Sequence, residues 1–368
     1  MKKIYHKIIL LSALLVVSSC KNIQPSKRST SEQESSISSS ADLSTVTSSS
    51  SNYSKSSSSS NKSSSASSSS ASSSVDQSIK ENELYTSSGL SIKFKATGAS
   101  IDKINFKNKQ IAKDGFVVGR CANRIANGKF GLDGINYSVS INASPHSLHG
   151  GAGTGMNSWR GPFATKDWTK VEQTRTSISY SSHYADEENG YPANMDMTVT
   201  YTLSEEGELS IEYRATTDKT TLCNPTNHLF MSPNGNNSYS DIKLWINADN
   251  YTPLNNQIPT GQIATVEGTQ FDFRTEKTFD SSKNYDDNLV LNGEGYRKVA
   301  TMKGTSLGVQ IDVFTDRPGL QLYKDGSGSI CLETQMFPDA INQRNFEDPV
   351  IRPGEQFYSK TSYVFSEI

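Results

Sequence analysis

The chain has 368 residues, with 36 Lys and Arg against 38 Asp and Glu, and its formal charge of −2 gives no electrostatic basis for nucleic-acid binding. Hydrophobic residues make up only 34%, but the deficit lies in a Ser-dominated stretch from Ser29 to Ser78, and the remaining length, about 290 residues, is ample for a real core. The four cysteines, Cys20, Cys121, Cys223 and Cys331, are dispersed without CxxC or Cys/His clustering, which excludes a disulfide-built mini-domain and offers no metal-ligand spacing.

At the N-terminus, Lys2, Lys3 and Lys7 precede an apolar run from Ile8 to Val17. The run is too short to span a bilayer and has the charge order of a secretory signal, so residues 1–19 are expected to direct export. Val17-Ser18-Ser19-Cys20 resembles the lipobox of bacterial lipoproteins, which implies that Cys20 becomes a lipid-modified mature N-terminus and that the protein is an extracytoplasmic, membrane-anchored lipoprotein. Residues 20–80 are too poor in apolar side chains to offset their ordering entropy, and are expected to form a disordered tether with a reach of roughly 40 Å.

From residue 81 to 368 the pattern is that of strands. Leu90, Ile92 and Phe94 alternate with polar neighbours, as do Met197, Val199, Tyr201 and Leu203. The second run meets a turn at Glu205-Glu206-Gly207 and resumes with Leu209, Ile211 and Tyr213, a hairpin signature, and Ile242, Leu244, Ile246 and Ala248 repeat the alternation. No long window sustains helical periodicity. The expectation is one all-β domain, a large antiparallel β-sandwich.

The chemistry-bearing residues lie in short polar segments. His149 stands in Ser147-Leu148-His149-Gly150-Gly151, where two glycines permit a sharp bend and close approach of a ligand. His228 closes the turn-forming run Asn224-Pro225-Thr226-Asn227-His228. Each histidine taken alone reads first as a satisfied loop or core residue. Glu333, flanked by Cys331 and Leu332, reads as a carboxylate on a half-buried strand, which needs a partner or a task. Further polar segments are Asn123-Arg124-Ile125, Gly190-Tyr191-Pro192, Tyr285-Asp286-Asp287-Asn288, and Phe337-Pro338-Asp339-Ala340 with Asn342-Gln343. No HExxH or phosphate-loop spacing occurs, so metal and nucleotide chemistry lose support.

In chain order, these motifs, together with Gly119-Arg120, Ile258-Pro259-Thr260-Gly261, Phe271-Asp272-Phe273-Arg274, Cys331-Leu332-Glu333-Thr334-Gln335 and Arg352-Pro353-Gly354-Glu355, resemble the aldose 1-epimerase (galactose mutarotase) family over the domain from about Leu84 to Ile368. The resemblance implies the family's large antiparallel supersandwich and an isomerase acting on a free monosaccharide such as galactose or glucose, with no cofactor. It implies Glu333 as catalytic base, His228 as general acid, and His149, Arg124 and Asp286 as sugar-binding residues. The acid and base are expected to face one another across a pyranose-sized hollow, with a neighbouring carboxylate keeping part of His228 protonated. The sequence departs from the family pattern in several places. Asp287 stands where a His is common, and His146 where an Asn is common. Met156-Asn157-Ser158-Trp159 replaces the usual run after the glycines, and only about two dozen residues separate Ala96 from Gly119, so an edge hairpin is expected to be missing. Two further readings are a catalytically inactive carbohydrate-binding lipoprotein on the same scaffold and a glycosidase using Glu333 and Asp286. Cys121, Cys223 and Cys331 are expected to pack as small hydrophobes. Oligomeric state is not legible.

Overall fold

Period-two strands are stable only when paired along their edges and covered on their apolar face. A computed structural model describes residues 78–368. The leader, Cys20 and the Ser-rich segment as far as residue 77 lie outside the described residues. Within them, the alternating segments build a ten-stranded and a nine-stranded sheet. The ladders of both are antiparallel. The centre of the first sheet runs Lys109–Val118, Thr226–Met231, Ile330–Gln335, Gly319–Lys324, Asp286–Val290. The centre of the second runs Arg297–Gly304, Val309–Thr315, Phe357–Glu367, Glu208–Thr217, Met195–Leu203.

The hairpin read from sequence is present. Met195–Leu203 and Glu208–Thr217 pair with Leu203 opposite Leu209, and Gly207 takes the left-handed conformation the turn requires. The core lies between the sheets. Ile92, Ile101, Leu229, Leu322 and Leu332 from the first sheet meet Val199, Tyr201, Ile211, Val313 and Tyr363 from the second. Two tyrosines place their polar ends across this gap: Tyr201 Oη donates to Ala99 O at 2.6 Å and Tyr363 Oη to Leu332 O at 3.3 Å. The short interval between Ala96 and Gly119 is filled by the strands Ser100–Phe106 and Lys109–Val118 of the first sheet. Cys121, Cys223 and Cys331 are free and buried among apolar side chains, as expected.

One expectation is corrected. Glu333 does not lie on a half-buried strand, because every residue of Ile330–Gln335, and every residue of Thr226–Met231, is buried. The face turned away from the core is covered by aromatic side chains and by the segment between Cys121 and Gly161, including the small ladder that pairs Arg124–Ile125 with Ser147–Leu148. Central strands roofed on both sides present a second interior in which polar groups can be desolvated.

Because Ile211 is fully buried between the sheets, Ile211→Ala is expected to lower unfolding free energy by about 2–5 kcal/mol. Ile135→Ala, at a position 56% exposed, should change it by less than about 0.5 kcal/mol. Denaturant titration of both variants checks the contrast.

Candidate active site

Successive side chains of a strand point to opposite faces. Leu229, Leu322 and Leu332 face the core, so His228, Gln321, Tyr323, Cys331 and Glu333 face the second interior. Strand register then sets two rows across the sheet. Asp286 lies opposite Tyr323, which lies opposite Cys331; Asn288 lies opposite Gln321, which lies opposite Glu333. On the other side His228 pairs with Phe116. The chain's four distant segments thus deliver their functional side chains to one patch of sheet.

His228 Nε2 stands 3.5 Å from Glu333 Oε1, and both side chains are buried. The expectation of two groups on opposite walls of a hollow is therefore corrected: the imidazole and carboxylate are side by side on neighbouring strands. This placement suits a hemiacetal, whose hydroxyl oxygen and ring oxygen are bonded to the same carbon and can meet adjacent groups together. Rings enclose His228, with Phe116 stacked on it at 5.1 Å, Phe230 at 4.7 Å, and the edges of Tyr323 and Trp159 at 5.5 and 6.2 Å. Its Nδ1 lies 3.5 Å from Cys331 Sγ.

This dry enclosure governs protonation. Burial pushes the His228 imidazolium down to about 4 and holds the Glu333 carboxyl well above its ordinary range, where Asp286 raises it further and Arg124 opposes the rise. The expected protonation of His228 by a neighbouring carboxylate is therefore outweighed by desolvation. Between these limits the pair holds one proton, carried either as the neutral acid and imidazole or as the carboxylate and imidazolium.

The loops complete the site. His149 sits in the left-handed region at φ 53°, an uncommon state for a residue with a Cβ. Its Nδ1 accepts the Asn123 N–H at 3.2 Å, leaving the ring proton on Nε2. Burial, with His228 and Arg124 nearby, keeps this ring neutral well below the usual histidine range. Glycine is required on both sides of it. A Cβ at Gly150 would lie 1.9 Å from Gly119 O, and one at Gly161 would lie 1.9 Å from His149 O.

Arg124 reaches Asp286 Oδ2 with Nη1 and Nη2, both at 3.5 Å, while Asp286 Oδ1 accepts Gln321 Nε2–H at 2.7 Å. Asp286 thus keeps its place despite the Asp287 departure, because Asp287 turns its own carboxylate to the Asp286 N–H at 3.2 Å. Burial raises Asp287 to about 6.

All five residues read as catalytic or sugar-binding, Glu333, His228, Arg124, His149 and Asp286, line one cavity of about 130 Å³. Asn123, Trp159 and Tyr323 line it too, and Gln321 braces Asp286. Gln321 could have been found from Leu320-Gln321-Leu322, an amide inserted between two core leucines. Trp159 lay in the flagged departure, and its 39% exposure at the rim offers an aromatic face. Gly190-Tyr191-Pro192 does not reach the cavity: Tyr191 is buried in a satellite cluster and Pro192 O accepts Arg120 Nη1–H at 2.7 Å.

Known proteins resemble this chain over the same domain. The family model for aldose 1-epimerase matches residues 81–364. Galactose mutarotase from Rattus norvegicus is 38% identical over 280 residues, covering 68% of this chain and 78% of its own. Aldose 1-epimerase from Haemophilus influenzae is 32% identical, covering 68% and 80%. A solved aldose epimerase homologue from C. elegans superposes with a TM-score of 0.71 at 27% identity, over 78% of this chain and 98% of that one. The chain belongs to the aldose 1-epimerase family.

Gly150 and Gly134 both have positive φ, but a Cβ at Gly134 meets nothing within 4 Å. Gly150→Ala is expected to weaken sugar affinity, measured by calorimetry, by about tenfold or more through displacement of His149, while Gly134→Ala leaves it unchanged.

Proposed function

We propose that the protein is an aldose 1-epimerase that interconverts the α and β anomers of a free aldose such as galactose or glucose. The observation that carries this reading is the desolvated His228–Glu333 pair, 3.5 Å apart at the wall of the cavity. In the carboxylate–imidazolium form, Glu333 accepts the proton of the anomeric hydroxyl while His228 donates from Nε2 to the ring oxygen. The C1–O5 bond breaks as the C1 carbonyl forms, and the open chain turns about C1–C2. Closure on the other face runs the transfers backward: O5 returns its proton to His228 and Glu333 returns its proton to O1. One proton leaves and one arrives at each stage, so the pair ends as it began. Arg124 and Asp286 hold sugar hydroxyls, with Gln321 fixing the Asp286 carboxylate. Neutral His149 contributes an Nε2–H donor.

General acid and base each supply typically 10²–10⁴-fold. Glu333→Gln and His228→Asn are each expected to slow the approach of fresh α-D-galactose or α-D-glucose to its equilibrium optical rotation by about that factor. A wild-type protein that binds sugar by calorimetry but leaves rotation at the buffer rate would make this an inactive binding protein instead.

The proton inventory fixes the pH profile. Falling pH through about 4, the lowered value of His228, puts a second proton on the pair and removes the base. Rising pH through the elevated value of Glu333 strips the last proton and removes the acid. The rate should therefore be bell-shaped, with its alkaline limb well above the ordinary carboxylate range. A single ionisation near that of free histidine, with no acid limb, would contradict it.

We further propose that the enzyme is exported and held at a bacterial membrane by lipid on Cys20. This is supported by the basic leader, the apolar run and Val17-Ser18-Ser19-Cys20. Detergent phase separation of cell fractions checks it: the wild-type chain should enter the detergent phase, and Cys20→Ala should move to the aqueous phase.

A further inference from the structure

Asp114 and Arg160 take no part in the proton transfers, yet the backbone is arranged to join them beside His228. Across the strands Lys109–Val118 and Thr226–Met231, Phe116 lies opposite His228 and Lys113 opposite Phe230, so Asp114 and Gly115 share the single position of Leu229. This is a β-bulge, a device that re-aims a side chain. Gly115 turns to the core, where a Cβ would lie 2.6 Å from Leu229 Cδ1. Asp114 takes the left-handed region at φ 55°, uncommon for a residue with a Cβ, and its carboxylate meets Arg160. Arg160 is fixed from its own side. It closes the turn Gly155–Arg160, and it precedes Gly161, which has no room for a Cβ against His149 O, and Pro162 in the first turn of the helix Gly161–Thr165. Its Nη1 donates to Asp114 Oδ1 at 3.0 Å and its Nη2 to Asp114 Oδ2 at 2.6 Å, a bidentate pair. The guanidinium so held packs on rings, with Cζ 4.6 Å from the centroid of Phe116 and 5.4 Å from that of Trp159. These are the rings that meet His228 as a stack and as an edge.

Phe116 touches both groups, so the guanidinium lies within about 10 Å of the imidazole, near enough for its charge to be felt. A cation there disfavours the imidazolium and makes it a stronger proton donor, while the Asp114 carboxylate opposes this; both act beside the larger effect of burial. The Arg160 side chain is 21% exposed and that of Asp114 41%, and water at these positions screens each effect to about half a pH unit. The other ionisable groups around His228 are Glu333 and Cys331 on the neighbouring strand, Tyr323 and Asp325 on and after the next, and His149 on the covering segment. Arg124 and Asp286 line the same cavity. Among the described residues, the side chains of Asp114 and Arg160 form hydrogen bonds and an ion pair only with each other.

We infer that Arg160, clasped by Asp114 and laid on Phe116, is a positioning residue that sets, by its charge, how readily the His228 imidazole gives up its proton. This rests on the mutarotase reading for the use made of that proton, but its test needs no turnover. The His228 ring is followed by NMR against pH in the full domain and its variants. From a wild-type midpoint at about 4, Arg160→Gln should raise the midpoint by about half a unit, and Asp114→Asn, whose side chain tolerates positive φ, should lower it by about as much. The double variant should return to within about 0.3 of wild type, because a cation and an anion leave together, and Arg160→Lys, which keeps the charge, should stay there too. The acid limb of anomer exchange should move with each midpoint. Where acid unfolds a variant, the protonated fraction of His228 at about pH 5 decides, higher than wild type in Arg160→Gln and lower in Asp114→Asn. A role in packing alone would admit water to the imidazole and raise the midpoint in every variant; that result, or a single variant that leaves the midpoint unmoved, overturns the inference. If the midpoints move in opposite directions while the wild type leaves anomers at the buffer rate, the charge effect stands and the mutarotase reading fails.

Discussion

The structure turns on one desolvated contact, that between the His228 imidazole and the Glu333 carboxyl. Neither group keeps an ordinary proton affinity there, because bulk water, which would stabilise either charge, is excluded by aromatic rings above and by a packed sheet below. Burial disfavours both charged forms, lowering the imidazolium and raising the carboxyl, so between the two the pair carries a single proton. A group that must both take and return a proton within one reaction benefits from this balance, since neither protonation state is trapped.

That contact makes demands on the rest of the fold. It needs strands that are interior on both faces, and hence a second cover beyond the partner sheet. The cover is made from loops, which are poorly suited to holding side chains still unless fixed. Here the fixing is done by close backbone approach at Gly150 and Gly161, by the Asn123 N–H on His149, and by Gln321 on Asp286. The same economy recurs at Asp339, whose carboxylate gathers three donors from two segments.

The strands were legible where one face met water. Met197 to Leu203 alternates cleanly because its outer face is exposed or partly so, Leu209 to Tyr213 alternates with the polar Ser210 and Glu212, and the hairpin follows from Gly207. Ile330–Gln335 is buried on both faces, so its sequence could show a strand but not that Glu333 is enclosed on it. Among functional residues, those set in glycine-rich or asparagine-rich turns could be singled out from the chain. Their mutual arrangement could not: the adjacency of Glu333 and His228 depends on which strands become neighbours, a property of topology that one sequence does not display. Desolvation is likewise a collective effect of Phe116, Phe230, Tyr323 and Trp159, which are scattered over two hundred positions and individually unremarkable.

A sheet with two interiors has an evolutionary consequence. The leucines that lock the sandwich together and the polar groups that face the sugar alternate along the same strands, yet they never compete for the same space. Mutations that tune folding strength fall on one set of positions and mutations that alter chemistry on the other. The walls around the sugar come from connecting loops whose lengths can drift without disturbing either set. Such a scaffold can diversify its clientele by exchanging walls while its proton-handling floor is inherited unchanged.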